Sequence, residues 1–251
     1  MRPQNPVGQP FYILDEVDST NNYAMRLVQA QMAVHGAAYL AMHQHTGKAQ
    51  RGKVWNSERG MNIMMSCVLE PFFLTVDNQF LLNITVALAC FDFFKMYTSD
   101  ISIKWPNDIY WKDRKAGGIL IENLLHGKEW NFAVAGTGLN INQVFFARNL
   151  PNPVSLKQIT GKTYDIIHLA KSLCKFIDTR WRELTSNLHT KLLEEYSANL
   201  YKTGKTVTFK KNDQVFEAVV AGVTKKGELI LDTGQLTTHT FGSIEWIIPS
   251  V

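Results

Sequence analysis

The stretch Lys104-Trp105-Pro106-Asn107-Asp108-Ile109-Tyr110-Trp111-Lys112-Asp113-Arg114-Lys115-Ala116-Gly117-Gly118-Ile119-Leu120-Ile121-Glu122 interleaves core residues with chemically active ones. Tyr110-Trp111 and Ile119-Leu120-Ile121 have the aromatic and β-branched make-up of two adjoining strands. Trp105-Pro106-Asn107-Asp108 and Lys112-Asp113-Arg114-Lys115 have the composition of the turns around them. Folded as a hairpin, the stretch predicts Asp108 and Lys115 close together. Gly117-Gly118 then falls inside a strand, where glycine weakens packing unless something such as a ligand must approach the backbone closely. Without a ligand, the same charges would serve only to keep a sheet edge soluble.

On the N-terminal side, Phe11 to Leu14 reads as a short strand. Asp18-Ser19-Thr20 follows as a helix start, with Tyr23, Ala24, Leu27, Val28 and Met32 at helical spacing. Gly36 to Met42 predicts a strand that delivers Gln44 into the polar loop His45 to Trp55. Four basic side chains and two glycines in that loop suit a phosphate cradle, although the loop matches no standard nucleotide-binding motif. Asn62 to Val68 predicts a buried strand. Phe80, Leu81, Ile84, Ala87, Leu88, Phe91 and Phe94 give a long core helix.

On the C-terminal side, Trp130 to Val134 predicts a strand paired across His126-Gly127-Lys128, running into Ala135-Gly136-Thr137-Gly138-Leu139-Asn140. Gly136 and Gly138 hint at a dinucleotide fingerprint, but no helix with a third glycine follows. Thr163 to Leu184 and Leu188 to Leu200 predict amphipathic helices, the first with Leu169, Leu173, Phe176, Ile177 and Trp181 on its core face. From Lys205 onward, short alternating segments turn at Lys210-Lys211-Asn212-Asp213, Lys225-Lys226-Gly227 and Asp232-Thr233-Gly234, the pattern of a small all-β barrel. The expected division therefore lies near Thr203-Gly204, giving domains 1–203 and 204–251.

The chain of 251 residues, 45% hydrophobic and 19% charged, has the composition of an ordinary globular protein. Its net charge of +4 is dispersed, which favours anionic ligands weakly and gives no ground for expecting nucleic acid. Cys67, Cys90 and Cys174 are far apart with no zinc spacing, so neither disulfide nor structural metal is expected. His43 and His45 could face one way on a strand, but a third ligand is missing. The first residues, Met1 to Pro6, have no apolar signal region, and the run Phe80 to Phe94 is shorter than a bilayer span. A cytoplasmic protein without membrane attachment is expected.

The central stretch closely resembles the signature of biotin protein ligases: Lys-Trp-Pro-Asn-Asp, then Arg-Lys, two small residues, Ile-Leu and a Glu. The resemblance extends over essentially the whole chain. It implies an α+β fold, a mixed sheet with helices like the class II synthetase-like catalytic domain of biotin and lipoate ligases, followed by a small SH3-like β-barrel. It implies that biotin and ATP, with Mg2+ held mainly by ATP and water, give biotinyl-5′-AMP. Biotin then passes to a lysine of a biotin carboxyl carrier domain of a carboxylase. Ser19, Thr20 and Asn21 match the triplet that meets the ureido ring of biotin, and Gln44, Gly47, Lys115, Gly117 and Gly118 complete the biotin set. Lys48, Gln50, Arg51, Trp55, Lys115 and Asn140 form the adenylate set, with Trp55 packing on adenine and Asn140 recognising it. Lys115, Asp108 and Arg51 take the catalytic roles, and no protein metal ligand is implied.

The family loop reads Gly-Arg-Gly-Arg-x-Gly, whereas this chain has Lys48, Ala49 and Gln50 in place of its first Arg, second Gly and second Arg. Losing a charge-assisted contact of roughly 1.5–3 kcal/mol would weaken the hold on a phosphate by about ten- to a hundredfold. A lipoate or octanoate ligase and a non-catalytic biotin-binding module are the alternatives. A winged helix-turn-helix is not expected, since only about ten residues precede the first strand. An exposed sheet edge would suit either a homodimer or an acceptor added as a strand.

Overall fold

The strand Ile63–Leu69 is buried at all seven positions, because it lies in mid-sheet with helices on both faces. It is β3 of a computed structural model that describes residues 4–127, 129–147 and 150–248. The strands β1 (Phe11–Val17), β2 (Ala38–Gln44), β4 (Ile101–Lys104), β5 (Asp108–Trp111), β6 (Arg114–His126) and β7 (Glu129–Leu139) join β3 in a seven-stranded sheet ordered β1-β2-β3-β7-β6-β5-β4. Only β1 and β2 run parallel within it. The sheet is therefore mixed, as expected.

One face carries α2 (Gln79–Lys95), α4 (Ile166–Thr185) and α5 (His189–Ala198). Helix α2 is apolar on every side because it is wedged between the sheet and the other two helices, with Leu82, Ile84, Leu88, Phe93 and Phe94 wholly buried. Helix α4 is amphipathic and turns Leu169, Leu173, Ile177 and Trp181 inward, whereas Phe176 is only half-buried. Arg180 joins the three helices, bonding Asp92 at 2.7 Å and Glu183 and Glu195 at 2.7 and 2.5 Å. The opposite face is covered by α1 (Thr20–Gln29), whose Ala24 and Val28 pack on Tyr39, Val68 and Val134.

The remaining strands, β8 (Thr206–Lys211), β9 (Gln214–Val223), β10 (Leu229–Asp232), β11 (Leu236–His239) and β12 (Glu245–Trp246), form an antiparallel sheet ordered β11-β10-β9-β8-β12. The β8–β9 turn places Asn212 and Asp213 at φ of 47° and 63°, the left-handed pair of a tight hairpin that these residue types tolerate. This sheet docks on the central hairpin. Trp105 Nε1 donates to the Gly227 carbonyl at 2.9 Å, and Tyr201 Oη donates to Asp113 Oδ1 at 2.6 Å.

Several elements differ from expectation. Strand β4 and the short helix α3 (Leu156–Thr160) were not expected, although Ile101-Ser102-Ile103-Lys104 alternates as a strand does. Helix α1 ends at Gln29, and Gln31 turns back at φ 57°, so Met32 is 72% exposed instead of continuing the apolar stripe. Strand β7 runs on to Leu139, so Gly136 and Gly138 are strand residues and no dinucleotide loop forms. Lys128 of the expected β6–β7 turn and Met1 to Pro3 lie outside the described residues. No described helix is long and apolar enough to cross a membrane.

Candidate active site

A cavity of about 490 Å³ opens between the central hairpin, the start of α1, the loop 45–55 and the edge of the second sheet. Its deepest feature follows from an irregularity in the β5–β6 pairing. Asp108 pairs with Gly118, but the register shifts between Ile109 and Tyr110, so that Tyr110 faces Lys115. Such a bulge re-aims side chains. Here Lys115 Nζ comes to 2.7 Å from Asp108 Oδ1, an ion pair whose side chains are 27% and 21% exposed. The two residues singled out in the sequence are in contact and line the cavity.

The two adjacent glycines part company. Strand side chains alternate between faces, so only Gly118 borders the cavity, where a Cβ would lie 3.2 Å from Asp108 Oδ1 and 3.4 Å from Trp55 Cζ3. A Cβ at Gly117 would meet Leu139 Cδ2 at 2.5 Å and the Gly138 carbonyl at 3.0 Å. Gly117 is small to let β6 and β7 pack and does not line the cavity.

The floor is the start of α1. Ser19, Thr20 and Asn21 line the cavity yet are 2%, 4% and 3% exposed. Ser19 occupies the N-cap position without a side-chain capping bond; the free Thr20 N–H instead donates to Gln44 Oε1 at 2.7 Å. Ser66 Oγ is in hydrogen-bond contact with Thr20 Oγ1 at 2.8 Å and Asn21 Oδ1 at 2.6 Å. Asn21 Nδ2 donates to Glu122 Oε2 at 2.9 Å and to the Leu120 carbonyl at 3.2 Å. Gly136 is required beneath it, since a Cβ there would overlap the Asn21 amide. Asp18 turns outward to Arg26 and Asn22, and the Arg26 guanidinium holds its carboxyl well below the usual carboxylate range. Ser66 was not picked out from the sequence, and Gly136 and Glu122 were noted there without this role. Neither a buried serine nor a strand glycine carries a local mark of the side chain it will touch.

The loop 45–55 closes on itself through Trp55 N–H to the Gly47 carbonyl at 2.7 Å and a Lys48–Val54 bridge. Gly47 sits at this neck, 2.5 Å short of the Trp55 carbonyl were it to carry a Cβ, and is not on the cavity wall. Lys48, Gln50, Arg51 and Trp55 are on the wall. Lys48 Nζ pairs with Glu122 Oε1 at 3.0 Å. Arg51, at φ 57°, stacks its guanidinium 4.7 Å from the Phe241 ring centre. The Trp55 ring lies over Gly138, where a Cβ would be 2.7 Å from Cε2, and over Lys115 Nζ at 5.7 Å.

Two further placements concern the wall. Asn140 is 5% exposed, outside the cavity lining, and its Nδ2 donates to the Lys115 carbonyl at 3.3 Å. That bond ties its amide to the strand that carries Lys115. Conversely, Phe241, Gly242, Ile244, Glu245 and Trp246 of the second sheet do line the cavity, although no residue beyond 203 was singled out. Among the described residues no group of three side chains is arranged to hold a metal ion.

The sequence profile described as the biotin/lipoate A/B protein ligase family matches residues 14–140, just over half of the chain. The bifunctional ligase/repressor BirA of Bacillus spizizenii is 24% identical over 90% of this chain and 70% of its own length. The biotin–[acetyl-CoA-carboxylase] ligase of Paracoccus denitrificans is 26% identical over 87% of this chain and 92% of its own. The biotin protein ligase of Aquifex aeolicus, solved with biotin and ATP, superposes with a TM-score of 0.78 at 22% identity, covering 94% of this chain and 98% of its own. At that identity the likeness is one of fold.

Proposed function

This chain belongs to the biotin/lipoate A/B protein ligase family, and on that premise we propose that it activates biotin with ATP as biotinyl-5′-AMP and transfers it to a lysine of a biotin carboxyl carrier domain. The observation that carries this reading is the Lys115–Asp108 pair at 2.7 Å, set in one cavity with the α1 floor and the cationic loop. Ser19, Thr20, Asn21 and Gln44 offer hydroxyls and amides to the ureido ring. Gly118 leaves the strand bare beside it.

In the first step a biotin carboxylate oxygen bonds the α-phosphorus as the bond to the bridging oxygen breaks, and the electron pair leaves with pyrophosphate. Negative charge rises at the transferring phosphate, so pre-positioned cations lower the barrier. Lys115 and Arg51 supply them, and Trp55 gives an aromatic face for adenine. Asp108, beside Lys115, takes the proton that an acceptor ammonium must lose; the amine then bonds the anhydride carbonyl as the bond to the phosphate oxygen breaks and AMP leaves. Magnesium fits as an ion brought by the nucleotide, because it keeps most of its phosphate and water ligands and needs one or two carboxylates. Asp108 and Glu245 are the carboxylates on the cavity wall that would hold it, and bound there it would neutralise phosphate charge.

We place the division between the two domains at 203 and 204, and the acceptor or a second copy against the exposed edge strand β1. Tyr12 and Ile13 there are 46% and 49% exposed. Gln50 in place of a guanidinium implies a looser hold on the adenylate. The test of the whole reading is pyrophosphate release from ATP and magnesium with biotin, lipoate or octanoate in turn, without acceptor. Release with biotin alone is expected; release with lipoate or octanoate instead would move the protein to the sister activity, and silence with all three would leave a binding module.

A further inference from the structure

One carboxylate stands between the floor and the loop. Glu122, on β6, is not on the cavity wall, yet its Oε2 accepts from Asn21 Nδ2 at 2.9 Å and its Oε1 receives Lys48 Nζ at 3.0 Å. On the floor side this bond fixes the sense of the Asn21 amide. Both Nδ2 hydrogens are engaged, by Glu122 and by the Leu120 carbonyl, and Oδ1 already accepts from Ser66 Oγ at 2.6 Å. The amide can therefore only accept from a ligand N–H, through the second lone pair of Oδ1. On the loop side Lys48 bridges to Val54. The same neck is closed by Ala49 N–H to the Lys53 carbonyl at 2.8 Å and by Trp55 N–H to the Gly47 carbonyl at 2.7 Å. Holding Lys48 thus holds the Trp55 ring over Gly138 and Lys115.

We propose that Glu122 is a positioning residue for the ligation: one oxygen fixes the Asn21 amide that meets biotin, and the other pins, through Lys48, the neck of the loop that presents Trp55. The two tasks need different chemistry. Asn21 is 3% exposed, so it requires an acceptor, charged or neutral; without one its N–H would be buried and unsatisfied. The Lys48 and Glu122 side chains are 41% and 31% exposed, so the pin needs opposite charge and contributes only what a partly screened pair can give. That biases the neck toward its closed form without locking it. The tip, Gln50–Gly52, lies beyond the pin and stays unburied. A neutral amide at position 122 therefore releases the neck and leaves the floor intact, whereas a methyl group there releases both.

This inference rests on the ligase reading for what floor and loop bind, but the pin itself is read without any ligand. Amide hydrogen exchange of Ala49 and Trp55 in the whole, ligand-free protein is expected to quicken about two- to fivefold in Glu122→Gln and equally in Lys48→Met. The double variant is expected to exchange no faster than either single one, as members of one pair do. Unchanged exchange in E122Q, or additive effects in the double variant, overturns the pin. In the reaction, release of biotinyl-5′-AMP is expected to quicken by a similar factor in E122Q, with biotin KM within about twofold of the parent. In Glu122→Ala, biotin KM is expected to rise as well, by about ten- to a hundredfold. A Glu122 that merely supports the fold would move KM and off-rate together in both variants, and that result overturns the positioning role. A parent protein that releases no pyrophosphate with biotin defeats the ligase reading instead, and the exchange measurement still decides whether Glu122 pins the loop.

Discussion

The floor of the cavity and the loop that borders it are built on opposite terms. Ser19, Thr20 and Asn21 are almost wholly buried and cross-linked by Ser66, Gln44 and Glu122 from other elements. In the stretch Gln50–Gly52 no residue is buried, and the Arg51 guanidinium rests on the Phe241 ring and the Gly242 backbone with no ion pair among the described residues. A floor whose rotamers are already fixed loses little entropy when it accepts a ligand, so it suits recognition of one rigid shape. A loop that must be ordered by its ligand spends part of the binding energy on that ordering, and the cost is read in the off-rate. Lys115 stands between them, in the sheet but aimed at the loop.

The comparison can be broken at the point where the two regions meet. Lys115→Ala removes the charge both serve, and adenylate formation is expected to fall about a hundred- to a thousandfold; full-rate pyrophosphate release by this variant would remove Lys115 from the chemistry. On the loop side, Gln50→Arg restores a guanidinium and is expected to slow biotinyl-5′-AMP release about ten- to a hundredfold. An unchanged off-rate in a filter or chase measurement would show that Lys48, Arg51 and Lys53 already hold the adenylate fully. On the floor side, Gly136→Ala forces the Asn21 amide aside. It is expected to cost about 1–3 kcal/mol of stability in urea unfolding and to raise KM for biotin with KM for ATP unchanged; an equal rise in both would mean that floor and loop act as one unit. The smallest effect belongs to Asp18. Its pair with Arg26 is on the surface, with side chains 38% and 58% exposed. Asp18→Asn is therefore expected to change stability by less than about 1 kcal/mol and to leave biotin KM alone.

Much of this arrangement was legible in the chain. The apolar periodicity of α2, the apolar run of β3 on either side of Ser66 and the turn chemistry around Asp108 and Lys115 are local signals, and the elements they predict are present. The Ser19-Thr20-Asn21 triplet, Gln44 and the basic loop residues also reach the same cavity. What a local reading left out shares a cause. Gly117 and Gly118 are indistinguishable as letters, yet the pleat sends one into the sheet interior and the other to the wall. Asn140 reads as a recognition residue, and only the fold shows that its amide also reaches the Lys115 carbonyl. Gly136 and Gly138, which resembled half a nucleotide fingerprint, are strand positions kept small for Asn21 and Trp55.

What the sequence by itself determined is the set of elements and the kinds of side chain brought to the chemistry, because periodicity, turn residues and charge are properties of short segments. Which of those side chains meet was decided by the tertiary structure. The bulge at Ile109–Tyr110 sets the face on which Lys115 finds Asp108, Ser66 ties down a helix forty-odd residues away, and the second sheet presents Phe241 and Trp246 to Arg51 and Lys104. Apart from the Lys115–Asp108 pair, whose closeness the hairpin already predicted, those contacts join residues far apart in the chain, and their geometry is fixed by register and packing, which no short segment encodes.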